Sequence, residues 1–185
     1  MSTSLANHFL IAMPAMDDPV FNHAVIYVCE HHEEGSVGLV INQPTQFSLD
    51  LVFKQLKIVS DFPAQNQFPL LFGGPLQPER GFVMHRPMGS WRSSLLLHDE
   101  VTVTTSNDII RAMAINQGPK DFIVAMGFAA WQHDQLEKEL LENQWLVCPF
   151  SSEIVYDVPY KDRWNYAGKI LGVDMNILSS QSGSA

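Results

Sequence analysis

The densest run of reactive side chains is Cys29-Glu30-His31-His32-Glu33-Glu34, a thiol, two imidazoles and three carboxylates in succession. Metal binding would need several of these to converge on one ion, but neighbours on an extended chain point to opposite faces. The run lacks His-Glu-x-x-His spacing, and no other His/Cys pair stands at ligand distance along the chain. It reads as a polar hairpin tip in which Glu30 or His31 could face a ligand. No metal and no cofactor is expected.

The second candidate is Phe72-Gly73-Gly74-Pro75 followed by Glu79-Arg80-Gly81. It has neither the Lys-Ser/Thr of a phosphate-binding loop nor the spacing of a dinucleotide fingerprint, so a tight turn or a close backbone crossing explains it better. No Gly-x-Ser-x-Gly elbow occurs. Cys29 and Cys148 each follow strand-like residues, Ile26-Tyr27-Val28 and Leu146-Val147. They read as small buried hydrophobes and free thiols rather than as a disulfide or a nucleophile. From 134 to 157, Asp134, Glu137, Glu139, Glu142, Glu153 and Asp157 face only Lys138. That stretch is a solvated acidic face, or a docking face for a basic partner. Trp131, Trp145 and Trp164 lie beside apolar runs without interleaved Arg or Lys, as core or pocket walls do.

The elements that must position these residues follow from periodicity. Strands are expected at Ala24–Cys29, Val37–Asn42, Leu70–Phe72, Gly81–His85, Val101–Thr105, Phe122–Met126 and Ile154–Asp157. Ser48 can cap a helix carrying Leu49, Val52, Phe53 and Leu56, and Ser106 one that runs to about Asn116. Asp134 with Glu137 resembles a capping box ahead of Leu136, Leu140 and Leu141. A last helix spans Tyr160–Leu171 and stops at Gly172. Strands and helices do not alternate as βαβ units. The expected class is therefore α+β: one domain over residues 1–178, a mixed sheet curling toward a partly open barrel with flanking helices, and a loose tail over 179–185.

Length and charge exclude several functions. The chain has 185 residues, 46% hydrophobic and 17% charged, which suits one folded domain. Eleven Lys+Arg against twenty Asp+Glu give a net charge of −9, the wrong sign for phosphate contacts. The longest apolar stretch, Phe122 to Trp131, is about half a membrane span. No Lys or Arg precedes the first apolar segment, so a cytoplasmic rather than a secreted protein is expected.

Four blocks together resemble the bacterial YqgE/AlgH family. The first is Phe9-Leu10-Ile11-Ala12-Met13-Pro14-Ala15-Met16-Asp17-Asp18-Pro19-Val20-Phe21, continuing through Glu30-His31 to Gly38-Leu39-Val40-Ile41-Asn42-Gln43-Pro44. The second is Gly73-Gly74-Pro75 with Gly81-Phe82-Val83-Met84-His85. The third is Gly127-Phe128-Ala129-Ala130-Trp131 with Gln135-Leu136-Glu137-Lys138-Glu139 and Asn143-Gln144-Trp145-Leu146, and the fourth Arg163-Trp164 with Ala167 and Leu171-Gly172. Two positions depart from the family pattern: Gln132-His133-Asp134 replaces a Gly-rich stretch, and Gly183-Ser184-Ala185 replaces a terminal Gly-His-Ala. The resemblance implies an α+β domain with a partly open barrel and names no reaction. Its label of transcriptional regulator conflicts with the −9 charge and the absence of a basic recognition helix.

The leading expectation is thus a non-enzymatic cytoplasmic monomer that binds a partner protein or a small ligand and regulates transcription, if at all, indirectly. Hydrolase-like or Cys-dependent chemistry in a polar pocket is the enzyme alternative, and direct DNA binding the third reading. The candidate binding residues are Glu30, His31, Asn42, His85, Trp131, Gln135, Glu137 and Asn143. Antiparallel pairing would put Glu30 and Asn42 at opposite ends of a hairpin, which predicts separate polar clusters rather than one catalytic centre.

Overall fold

A period of two sorts the apolar side chains into distinct cores. Along β1 (Phe9–Ala12), Phe9 and Ile11 enter one cluster while Leu10 and Ala12 enter another, and all four are fully buried. Strand β2 (Val25–His32) repeats the split, with Val25 and Tyr27 on one side and Ile26 and Val28 on the other. In β3 (Gly35–Val40), Leu39 and Val40 divide in the same way. Strands covered on both faces need this continuous apolar run.

The computed structural model describes residues 3–182. Its further strands are β4 (Pro44–Ser48), β5 (Pro69–Phe72), β6 (Leu76–Arg86), β7 (Ser94–His98), β8 (Val101–Thr104), β9 (Asp121–Gln132) and β10 (Trp145–Cys148). They form one ten-stranded sheet in the order β10-β1-β2-β3-β9-β6-β8-β7, with β4 and β5 off that path. Pairing is antiparallel except between β5 and β9, so the sheet is mixed. Residues of β2 and β3 line the same cavity as residues of β7 and β8, near the far edge of the order. The sheet is therefore curled into a partly open barrel.

Helices α1 (Leu49–Gln55), α2 (Pro63–Asn66) and α3 (Asn107–Ala114) lie on one flank, where Leu49, Phe53, Ile109 and Met113 pack on Leu70, Val83 and Val124. Helix α4 (Gln135–Leu141) buries Leu136 against the β1–β2 face. Helices α5 (Ser152–Tyr156), α6 (Arg163–Ile170) and α7 (Met175–Ser182) cover the first core, where Ile154, Val155, Trp164, Ala167 and Met175 are buried. The glycine pair marks a backbone crossing, as expected. A Cβ on Gly127 would stand 2.4 Å from the Gly74 carbonyl oxygen, and one on Gly74 would stand 2.0 Å from the Phe128 carbonyl carbon. Gly127 also has a φ of +76°, and beyond it the odd-numbered residues of β9 change from the first core to the second.

Two expectations need correction. Ile154–Asp157 is not a strand but the end of α5, closed by the Asp157 N–H on the Glu153 carbonyl at 2.9 Å. Four residues with two β-branched neighbours are too few to set a period, and Ile154 and Val155 are buried together on one helix face. Residues 179–182 are not loose tail but the last turn of α7, so the expected boundary at 178 falls inside a helix; 183–185 lie outside the described residues. Gly172 ends α6 as expected, with a φ of +71° and its N–H on the Lys169 carbonyl at 2.9 Å. Ser48, Ser106 and Asp134 do stand at helix starts, but none makes a side-chain capping bond.

Candidate functional site

The inner side of the curled sheet holds a trough of about 360 Å³. Each wall is built from side chains two apart on a strand: Val37 and Leu39 from β3, Arg80 and Phe82 from β6, Leu95 and Leu97 from β7, and Val103 from β8 with Thr105 just beyond it. Cys29 and Glu30 of β2 complete the lining, together with Arg92 and Ser93 ahead of β7 and Ser94 at its start. The interior is apolar and the rim is polar. Arg80 holds its guanidinium over the Phe82 ring at 5.1 Å, and Arg92 donates its backbone N–H to Asp108 at 2.9 Å. Among the described residues, neither guanidinium has a carboxylate within salt-bridge distance.

Of the expected candidates, only Glu30 lies in the trough. His31, Trp131, Gln135 and Glu137 meet elsewhere, where α4 docks on the sheet. The His31 Nε2–H donates to Glu137 at 2.7 Å, and His31 Nδ1 accepts the Leu5 N–H at 2.9 Å. A backbone N–H can only donate, so this imidazole is the neutral Nε2–H tautomer with no free nitrogen for a substrate. The hydrogen bond from His31 holds the Glu137 carboxyl below its usual value. The indoles of Trp131 and Trp145 both donate to one oxygen of Glu139, at 3.0 and 2.8 Å, and Gln135 donates to the other at 3.1 Å. This network fastens α4 to β9 and β10.

Asn42 sits at the opposite end of the β2–β3 hairpin from Glu30, as the antiparallel argument requires. Its Oδ1 accepts the Val25 N–H at 2.9 Å and its Nδ2 donates to the His23 carbonyl at 2.8 Å. Asn143 is exposed in a left-handed conformation after α4, with φ +57°. His85 is fully buried. Its Nδ1 contacts the Pro87 carbonyl at 3.0 Å and must donate, so Nε2 accepts the Thr104 hydroxyl at 2.7 Å. Thr104 in turn bonds to the Ser94 hydroxyl at 2.7 Å, which joins the buried imidazole to the trough's rim. Burial holds His85 below its ordinary value.

The cysteines are poor nucleophiles. Burial pushes the Cys29 thiol up to about 12 and that of Cys148 up to about 11. Both are free, and their sulfurs contact backbone carbonyls. Among the described residues no group of His, Cys, Asp and Glu could hold a metal ion. No described helix is long and apolar enough to cross a membrane.

Sequence reasoning met Arg80 only as part of the glycine-rich Glu79-Arg80-Gly81 segment and passed over Arg92, Leu95 and Leu97. The signal was present as apolar and cationic pairs two apart on short strands, but only the curl of the sheet brings those pairs together.

A family model described as AlgH-like matches residues 9–176. A UPF0301 protein of Legionella pneumophila strain Corby is 61% identical over 183 residues, which cover 99% of this chain and 98% of that protein. A UPF0301 protein of Thioalkalivibrio sulfidiphilus is 47% identical over 184 residues, covering all of this chain and 98% of its own. The solution structure of the AlgH protein from Pseudomonas aeruginosa is 40% identical, with a TM-score of 0.81 over the whole of this chain and 98% of the other. The crystal structure of protein DIP2367 from Corynebacterium diphtheriae shares the fold, with a TM-score of 0.73 at 19% identity over 97% of this chain and 93% of its own. The mixed, partly closed sheet and the sequence blocks that build it thus have the same explanation: this chain belongs to the AlgH-like (YqgE/AlgH) family.

Proposed function

We propose that this chain is a non-enzymatic binding domain whose trough receives a small ligand. The observation that carries the reading is an apolar cavity of about 360 Å³ whose lining includes Arg92 and an Arg80 that holds its guanidinium over the Phe82 ring. Concave apolar sites with a few convergent polar groups are the usual form of a ligand site. Neither His31 nor His85 has a ring nitrogen left for a substrate, and both thiols are held protonated, which weighs against acid–base or Cys-dependent chemistry. The charge of −9 weighs against DNA readout, so any influence on transcription is indirect. Two free thiols support a reducing, cytoplasmic setting.

The test is native mass spectrometry of the protein purified from its own cytoplasm. Wild type should carry a small-molecule adduct that Thr105→Trp, which closes the exposed rim, releases. Protein that carries no adduct and binds nothing from a cell extract would overturn the reading. A hydrolase-like alternative rests on the Ser94–Thr104–His85 hydroxyl chain. Covalent labelling of Ser94 by a fluorophosphonate probe, lost in His85→Gln, would favour it over simple binding.

A further inference from the structure

We propose that the ligand is a small amphiphilic monoanion: an unbranched aliphatic chain ending in a carboxylate, its tail in the trough and its head on Arg80 and Arg92. This rests on the reading of the trough as the ligand site. Charge sets the head group. Among the residues that line the trough, Arg80 and Arg92 bring two positive charges and Glu30 one negative, while the Asp108 carboxylate acts on Arg92 from just outside the lining. Cations outnumber carboxylates by one within the lining itself, which suits a monoanion better than a dianion. The hydroxyls of Ser93, Ser94 and Thr105 stand on the same rim and can donate to carboxylate oxygens.

Shape and chemistry set the tail. Val37, Leu39, Leu95, Leu97 and Val103 give aliphatic walls, and Phe82, the one ring, already carries the Arg80 guanidinium on its face. An aromatic ligand would have to displace that cation to stack; an aliphatic chain would not. At about 30 Å³ per water-sized atom, the trough takes roughly a dozen non-hydrogen atoms, about the size of octanoate. Leu95 is 53% exposed although it faces an apolar wall, so a bound chain would cover it. Cys29 contributes only a protonated sulfur and offers the tail no charge.

The test is an NMR titration of the full ¹⁵N-labelled chain with octanoate, octan-1-ol and acetate. Octanoate should shift the amides of Val37, Leu39, Leu95 and Val103 saturably. Octanol, without the charge, and acetate, without the tail, should each bind at least about tenfold more weakly. Arg80→Gln and Arg92→Gln change exposed side chains and leave the fold intact; together they should bring octanoate down to the level of octanol. Octanol binding as tightly as octanoate, or octanoate indifferent to the double variant, would refute the anion and leave the trough as an apolar-ligand site. No octanoate shift in a protein that retains some other molecule refutes the class but keeps the binding reading. No shift and no retained molecule refute both.

Discussion

Arg163→Met should be the most damaging single change in this molecule outside its apolar core. Arg163 is 2% exposed and, among the described residues, makes no salt bridge, with only the more distant Asp157 carboxylate acting on its charge. Its Nε donates to the Val158 carbonyl at 2.9 Å, Nη1 to Ile41 at 2.6 Å and Nη2 to Val155 at 2.8 Å, while its face lies 4.5 Å from the Tyr160 ring. One side chain thus ties the end of β3 to α5 and to the turn after it. Burial pulls its pKa down to about 10, still charged at neutral pH. Methionine fills much of the volume and satisfies none of the three carbonyls. Each carbonyl left without a donor costs roughly 1–3 kcal/mol. Water entering beside Tyr160 recovers part of this, so the net loss should be about 3–5 kcal/mol, as for other broken buried charge contacts. In a domain of 185 residues that lowers the melting temperature by roughly 6–20 °C. Arg163→Lys, which reaches one carbonyl at most, should recover only a minority of the loss. Urea unfolding followed by tryptophan fluorescence reads both, with an unchanged m-value as the check on two-state behaviour. A loss under about 1 kcal/mol for the methionine variant would refute the reasoning.

Asn42→Ala should cost roughly 1–3 kcal/mol because the Val25 N–H and the His23 carbonyl lose their partner, while Glu30→Ala on the exposed rim should stay within about 0.5 kcal/mol; equal effects in thermal melts would contradict the separation of the two. His85 is held below its ordinary value, so the unfolded chain takes up a proton near pH 6.5 that the folded chain refuses. Stability present above that pH should therefore fall on acidification, at up to about 1.4 kcal/mol per pH unit, and His85→Gln should flatten this limb of a urea-midpoint profile. Glu137 is shifted down by His31, so its contribution is present above its unfolded value near pH 4.3 and is lost below it; Glu137→Gln should narrow the stability difference between pH 6 and pH 3. Ellman's reagent should find both thiols in denaturant and react slowly with native protein, and a missing thiol would reveal a disulfide.

Local signals reached the elements whose burial is decided by their own period. The hairpin of β2 and β3, the α1 and α3 stripes, the Gly172 stop and the glycine crossing all follow from neighbours in the chain. The Ile154–Val155 pair misled because two adjacent β-branched residues bury as well on one helix face as on a strand, and tertiary packing on the core decides between them. Strand β4 carried no alternation to find, and β7 carried it only in Leu95 and Leu97, where the equally apolar Leu96 between them hides it. Pro44–Ser48 is mostly exposed, and in Ser94–His98 both Leu95 and Leu96 are half exposed, so neither strand has a buried face to write a pattern.

The same limit explains the candidate residues. Reactive type and density drew attention to the Glu30–Glu34 run, to His85 and to the α4 start, and the structure uses most of these groups to satisfy each other: His31 with Glu137, two tryptophans with Glu139, Asn42 with the β2 backbone, His85 with Thr104. A polar side chain in a motif is more often consumed in this way than left open, because a buried group without a partner is costly. Arg80 stands in the Glu79-Arg80-Gly81 segment read only for its glycines and Arg92 in an unremarkable stretch, and the neighbours of neither mark it as lining a cavity. What distinguishes them is their place on the lining of one apolar trough, a property of the three-dimensional surroundings and of no segment by itself. A cavity built from residues two apart on β3, β6, β7 and β8 is visible in sequence only as four short alternations; their convergence is a consequence of how far the sheet curls.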